Sequence, residues 1–449
     1  MRERARAHAL SQLVCLGRHT ITGLLCTQSQ TQRDWTADYR IYSRARIDPQ
    51  IVFRGVRNAV QRELDATAPL VTAWDDSILR KRGWKIHGVA WRRDPLSPPF
   101  GVNFVPGQRV LQASVALPAA DGQARLIPID FVHAPTLKRP PKNADVAQVQ
   151  AYKEAARQAN INAVALHRMQ ALRKEVDAQR SLHIVVDNRF TNGTVLRELP
   201  ANTILIGRAR KDAALFYPPA SQPATGRKRL YGTAAPTPEQ LRLDEGRPWQ
   251  IILAFAAGRI HSFKVKQMGP LISKLNGQPV QMVAIAPLGY RLKKGSRILY
   301  RQPAYLICTD PTLALEKIVQ EYLWRWDIEV NFRDEKTLLG VGQAQVRSAE
   351  SAQRAPALAV AAYALLLLAS SKTYAKSQLP DSIPQPKWQK GHEPGRPSTA
   401  RLINELRFNL WAQALRPESL SAFCEKSAAD QKPSKLNFDL ASAVFHAVA

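Results

Sequence analysis

Acidic residues at three places in the sequence could form a metal-dependent catalytic site. Asp75 and Asp76 end one strand-like segment, Asp187 ends a second, and Glu329 lies in a helix-like segment. Carboxylates in packed positions cost free energy unless they are paired or bound to a metal. Three converging carboxylates would offer the oxygen ligands that suit Mg²⁺ or Mn²⁺, and two such ions can activate water for phosphodiester cleavage.

Each aspartate also has a structural explanation. Asp75-Asp76 could cap a helix or begin a turn before Ser77. Asp187-Asn188 would suit a turn before the polar residues that follow it. From the residues alone, both interpretations stay open.

The net charge of the chain is strongly positive. Lys and Arg number 64 against 36 Asp and Glu, a formal net charge of +28. Such an excess favours a polyanionic partner through phosphate contacts and counterion release. A basic protein with a carboxylate metal site is predicted to be a nuclease or phosphoryl-transfer enzyme that acts on DNA. No Gly-x4-Gly-Lys-Ser/Thr loop is present, so ATP is not implied.

The segment from Tyr322 to Gly340 predicts a helix with an enclosed polar stripe. At about 100° per residue, Tyr322, Arg325, Glu329 and Lys336 fall within an arc of about 60°. Apolar residues flank that arc on both sides: Trp324, Ile328 and Phe332 on one, Trp326 and Val330 on the other. The remaining face is predicted to meet solvent and carries Asp327, Asn331 and Asp334.

The spacing Tyr322-x2-Arg325-x3-Glu329-x6-Lys336 resembles the Y-R-E-K signature of DDE transposases of the bacterial insertion-sequence-four group. The resemblance covers about residues 70 to 350. It implies a ribonuclease-H-like α/β catalytic core, a β-rich insertion between the second Asp and the Glu, and an N-terminal helical region. Strands that alternate with helices along the chain independently predict an α/β sheet.

The resemblance also implies roles for particular residues. Asp75, Asp187 and Glu329 would be the catalytic metal ligands, with Asp76 the alternative to Asp75 as the first aspartate. The cofactor would be Mg²⁺ or Mn²⁺, as two ions. Arg325 and Lys336, with Tyr322, would hold phosphates of the DNA ends.

The sequence divides into five predicted regions. They are a basic helical region that could bind DNA ends (1–65), the first part of the core (66–213), the β-rich insertion (214–300), the second part of the core with the Glu329 helix (301–375), and a linker with a helical tail (376–449). Within the core, the basic segment Gly207–Lys211 could follow a DNA backbone or be a solvated loop. The apolar run Ala355–Ser370 is shorter than a membrane span and predicts a core helix.

Two functions are therefore weighed. The first is a transposase that cleaves transposon ends and transfers them to target DNA by a cut-and-paste route, as a homodimer on double-stranded DNA. The second is a catalytically inactive, domesticated DNA-binding protein with the same fold. A metal-dependent nuclease without strand transfer would share the site. The scattered cysteines and the lack of a secretory signal favour the bacterial cytoplasm, at the nucleoid, with no membrane partner.

Overall fold

The computed structural model describes residues 2–30, 32, 34–44, 47–94, 97–98, 100–293, 295–373 and 396–411. Four helices precede the first strand: α1 (Arg2–Val14), α2 (Ile21–Thr27), α3 (Thr36–Ser43) and α4 (Pro49–Glu63). The Thr20 side chain caps α2, and Asp48 with Pro49 begins α4. The predicted N-terminal helical region is thereby confirmed.

The strands form one central sheet and a small hairpin. In chain order they are β1 (Leu70–Arg80), β2 (Ala90–Arg93), β3 (Phe104–Pro118), β4 (Ala124–His133), β5 (Leu182–Val186), β6 (Thr203–Arg208), β7 (Leu215–Phe216), β8 (Gln250–Ala256), β9 (Arg259–Ser273), β10 (Pro279–Ile285), β11 (Gly289–Tyr290), β12 (Leu299–Tyr300) and β13 (Ala304–Cys308). The remaining helices are α5 (Val146–Gln158), α6 (Ile161–Glu175), α7 (Gly193–Leu196), α8 (Pro238–Leu243), α9 (Leu315–Trp324), α10 (Trp326–Thr337), α11 (Ala349–Thr373) and α12 (Thr399–Trp411).

The central sheet is mixed. Its strand order is β2-β3-β1-β5-β6-β13-β10-β9-β7, with β4 on β3 and β8 on β9. The pairs β1–β5 and β5–β6 are parallel, and the other pairs are antiparallel. The α/β class is confirmed. The region predicted as an insertion continues this sheet through the pairing of β10 with β13, and the five-region division stays a prediction.

Helices cover both faces of the sheet and fix the direction of the β1 side chains. Leu70 and Trp74 pack into a core that includes α4, α6 and α11. Val71 and Ala73 pack into the opposite core, which includes α9 and α10. Because successive side chains of a strand point to opposite faces, Asp75 lies on the face covered by α10.

The long helix α11 lies in the core of the fold. Of the helices that the structure describes, it alone is long and apolar enough to span a membrane, and 61% of its most apolar window is buried inside the protein. The hydroxyl of Tyr363, in its middle, donates to Asn331 of α10 and contacts the hydroxyl of Thr399. The predicted linker and most of the tail, residues 376–395 and 412–449, lie outside the described residues.

Candidate active site

The parallel pairing of β1 with β5 brings two of the predicted acidic residues together. Trp74 of β1 is paired with Val186, the last residue of β5. Asp75 and Asp187 each follow directly after this pair, so they lie side by side. All five residues of β5 are buried, and Asp187 follows at the point where the strand ends. Burial, and then the negative charge of Asp187, raise the pKa of Asp75 to about 7.

Arg325 joins the third acidic residue to this pair. Its Nη1 donates to Asp75 Oδ2 at 3.1 Å, and its Nη2 donates to Glu329 Oε1 at 3.0 Å. The Arg325 side chain is only 11% exposed, so solvent screens these contacts weakly. The guanidinium therefore bridges β1 and α10 across the predicted site.

A local turn aims Arg325 at β1. The sequence predicted one continuous helix, but α9 ends at Trp324 and α10 begins at Trp326, with Arg325 between them. The backbone N–H of Arg325 donates to the carbonyl of Tyr322 at 3.2 Å, an i→i−3 bond that is typical of a tighter turn.

The other two residues of the signature lie on the same side of α9 and α10. The Lys336 Nζ donates to Ser77 Oγ at 2.6 Å, and Ser77 lies two residues beyond Asp75 on β1. Burial lowers the pKa of Lys336. The Tyr322 ring lies 5.8 Å from the Arg325 guanidinium, and burial raises the pKa of its hydroxyl. The structure thus brings the predicted catalytic and phosphate-binding residues to one face of the sheet.

The two candidates for the first aspartate have different surroundings. Asp76 points to the opposite face of β1, where Arg109 contacts it at 2.8 Å and Arg189 at 3.2 Å. Asp75 faces Asp187 and Glu329 instead, which favours Asp75 as the ligand. The alternative of a cap or turn at Asp75-Asp76 is wrong, because β1 continues unbroken to Arg80. At Asp187 the turn is real, since its Oδ1 accepts the Arg189 N–H at 2.9 Å.

The predicted solvent-facing side of the α10 segment is wrong at two positions. Asn331 and Asp334 are each only 4% exposed, because β4 and α11 pack against that side of α10. Asn331 Nδ2 donates to the Leu126 carbonyl at 3.0 Å. Trp326, predicted to flank the stripe, is 59% exposed. A helical wheel gives relative directions only, so it could not show which sides other elements cover.

A cleft of about 770 Å³ opens beside Asp187, Tyr322 and Arg325. Its other walls carry the cations Arg208, Arg210, Lys211 and Arg242. The basic segment Gly207–Lys211, which the sequence left open between a DNA contact and a solvated loop, therefore borders the candidate site.

Residues of the β-rich region complete the cleft, and sequence reasoning missed them. Glu239 and Arg242 lie on α8 and form an ion pair at 2.6 Å, and the Tyr305 hydroxyl donates to Glu239. Hydrogen bonds from Arg242 and Tyr305 lower the pKa of Glu239 to about 2. No spacing along the chain signals this group, because it forms only when α8 packs on the sheet.

The carboxylates suit a hard divalent cation. Asp75 and Asp187 are close enough to raise the pKa of Asp75, and a divalent cation is the partner that such a like-charge pair favours. Glu329 accepts a hydrogen bond from Arg325. It would have to give up that hydrogen bond to bind a cation together with Asp75 and Asp187. Within the part of the chain that the structure describes, no three His, Cys, Asp or Glu side chains already form a metal-binding group.

The comparison with protein families identifies the class. The sequence pattern of the DDE superfamily endonuclease family matches residues 1–250, more than half of the 449 residues. The chain therefore belongs to the DDE superfamily endonuclease family. That range contains Asp75 and Asp187 and ends before Glu329.

Membership of this family supports a nuclease or transposase enzyme with DNA as its substrate, in a class that generally uses divalent metal ions. The DDE part of the sequence prediction is thereby confirmed. No curated protein matches the chain.

Proposed function

We propose that the chain is a transposase of the insertion-sequence-four group, which cleaves transposon ends and transfers them to target DNA by a cut-and-paste route. The observation that carries the proposal is the Arg325 bridge between Asp75 and Glu329, beside Asp187 and a cationic cleft. It joins the four-residue signature to the aspartates of the family-matched part of the chain. The ribonuclease-H-like description of the core belongs to the same proposal.

Asp75, Asp187 and Glu329 would hold Mg²⁺ or Mn²⁺, as two ions. When bound, such ions activate the attacking oxygen and stabilise the leaving oxygen of a phosphodiester. Burial of Asp75, whose side chain is 17% exposed, keeps bulk water from competing for its carboxylate. Asp76, bound by two arginines, has its charge already compensated.

Arg325 and Lys336 would position the DNA. In this structure Arg325 uses two donors on the carboxylates. Released from them, the same planar pair of donors matches two oxygens of a phosphate. Lys336 is a point charge beside β1, and Tyr322 lines the cleft together with Arg325.

The proposed partners follow from the charge of the chain and the resemblance. The net charge of +28 and the cationic cleft support double-stranded DNA as partner, both as transposon ends and as target. The proposed enzyme acts as a homodimer on paired transposon ends and uses neither ATP nor a membrane partner. Its proposed location is the cytoplasm, at the nucleoid.

The second candidate is a DNA-binding protein that has lost its chemistry. The observation in its favour is that Arg325 forms ion pairs with Asp75 and Glu329. An ion-pair network that only stabilises the fold would contain the same contacts. This protein would bind DNA and cleave none.

A cleavage assay distinguishes the candidates. The labelled duplex carries the DNA that flanks the reading frame, and the protein is supplied with Mg²⁺, Mn²⁺ or EDTA. We compare wild type with Glu329→Gln and with Glu316→Gln, a control at an exposed position in α9. The transposase hypothesis expects metal-dependent nicking at the element boundary by wild type and the control, and binding without nicking by Glu329→Gln. Binding without nicking by all three proteins supports the inactive candidate. Nicking without joining to a second duplex indicates a nuclease.

A further inference from the structure

Two tryptophans near β2 are exposed and contact each other. Trp84 is 53% exposed and Trp91 is 61% exposed. Their ring centroids lie 4.8 Å apart with an interplanar angle of 56°. Large aromatic side chains normally bury most of their surface area. Two adjacent exposed indole rings therefore indicate a binding surface.

The segment that carries this tryptophan pair is strongly basic. The stretch Lys81–Arg93 contains five Lys and Arg and no Asp or Glu. Arg82, Lys85 and Arg93 are exposed, so they are available to a ligand. Aromatic rings among cations are the combination that binds single-stranded nucleic acid, because bases stack on the rings and the cations contact phosphates.

The sheet register places Trp91 on the same face as the candidate active site. Gln112 of β3 is paired with Asp75, and Pro106 of β3 is paired with Trp91. Both β3 positions have the same parity, so Asp75 and Trp91 face the same side of the sheet. At about 3.3 Å per residue, the two positions are about 20 Å apart along β3.

We propose that Trp84 and Trp91 form a stacking platform for unpaired DNA bases near the cleavage site. Bases in a duplex already stack on each other, so an open indole face selects bases that have left the helix. At a rise of about 3.4 Å per nucleotide of a stacked strand, the platform lies about six nucleotides from the proposed metal site at Asp75. The spacing from the cleavage site has a meaning only if the proposed function holds. Base stacking depends only on the two tryptophans.

The test measures binding of a fluorescein-labelled thymidine 20-mer to the full chain in EDTA. The variants are Trp84→Ala, Trp91→Ala and Trp91→Phe. The control is Phe408→Ala, because Phe408 is an aromatic residue of α12 that is 43% exposed and lies outside the regions assigned to DNA. Equal unfolding midpoints would show that each variant is folded.

We expect each platform Trp→Ala change to weaken binding of the 20-mer about tenfold, within the range for loss of one stacked base. Trp91→Phe should keep most of the affinity, and Phe408→Ala should bind as wild type does. The tenfold ratio should persist at about 0.3 M salt, because stacking is not screened. By contrast, the loss of 20-mer affinity caused by Arg93→Ala should become smaller as the salt concentration rises, because salt screens phosphate contacts.

Wild-type affinity in both platform Trp→Ala variants, or an equal loss in Phe408→Ala, would overturn the proposal. The boundary-cleavage assay separates this result from failure of the proposed function. Cleavage by wild type with unchanged 20-mer binding in the variants rejects the platform alone. Weakened 20-mer binding without cleavage by wild type keeps the platform and rejects the transposase.

Discussion

Glu335 is a buried acid whose ionisation should set a pH-dependent limit on the stability of the site. It is 2% exposed, and burial raises its pKa from 4.5 to about 8. A hydrogen bond from Gln112 and the charge of Lys336 oppose that shift. Gln112 is the β3 residue opposite Asp75, so its contact with Glu335 places that acid next to the candidate site.

The sign of the effect follows from the raised pKa. At low pH the acid is protonated in both the folded and the unfolded state, and it costs the fold nothing. As pH rises from 4.5 to 8, the unfolded state loses the proton first, and the free energy of unfolding falls by roughly 1.4 kcal/mol per pH unit. Stability associated with this group is thus fully present at low pH and is lost as pH rises through its folded pKa.

The change to make is Glu335→Gln, which keeps the size of the side chain and removes the ionisation. The Gln variant should lack this part of the pH dependence. Between pH 5 and pH 8, the free energy of unfolding of the variant should rise relative to that of wild type by about 3.5 kcal/mol. Urea denaturation of both proteins at the two pH values measures this difference. A constant difference between the proteins at both pH values would refute the assignment.

Three further predictions concern the site itself. Asp75→Asn should abolish metal-dependent cleavage while Asp76→Asn keeps most of it, measured as initial rates on the boundary duplex; equal losses would contradict the assignment of Asp75. Arg325→Lys keeps the charge but loses the fork that contacts two carboxylates, so cleavage should fall at least about tenfold; unchanged rates would rule out a positioning role. Arg208→Ala should weaken duplex binding and reduce the slope of log affinity against log salt by about one; an unchanged slope would place the DNA outside the cleft.

Local sequence patterns were enough to predict the elements that carry the site. The buried apolar run before Asp187 predicted a strand that ends there, and β5 is that strand. The spacing of Tyr322, Arg325, Glu329 and Lys336 predicted a common direction, and the contacts to Asp75 and Ser77 show it. Strand ends and helix periodicity depend on neighbours in the sequence, which is why these features could be predicted.

Features that depend on packing could not be predicted in this way. The burial of Asn331 depends on β4 and α11, which are distant in the sequence. The Glu239–Arg242–Tyr305 group requires α8 to pack on the sheet within reach of the Tyr305 side chain of β13. The choice between Asp75 and Asp76 required the strand register, because one residue of shift moves a side chain to the opposite face.

The central claim is that Asp75, Asp187 and Glu329 hold the metal that cleaves DNA. Its most direct test is Mn²⁺ binding, measured by electron paramagnetic resonance on the protein bound to the boundary duplex. We predict that wild type binds Mn²⁺ and that Asp187→Asn and Glu329→Gln each lose most of that binding while still holding DNA. Mn²⁺ binding of equal strength in all three proteins would contradict the account.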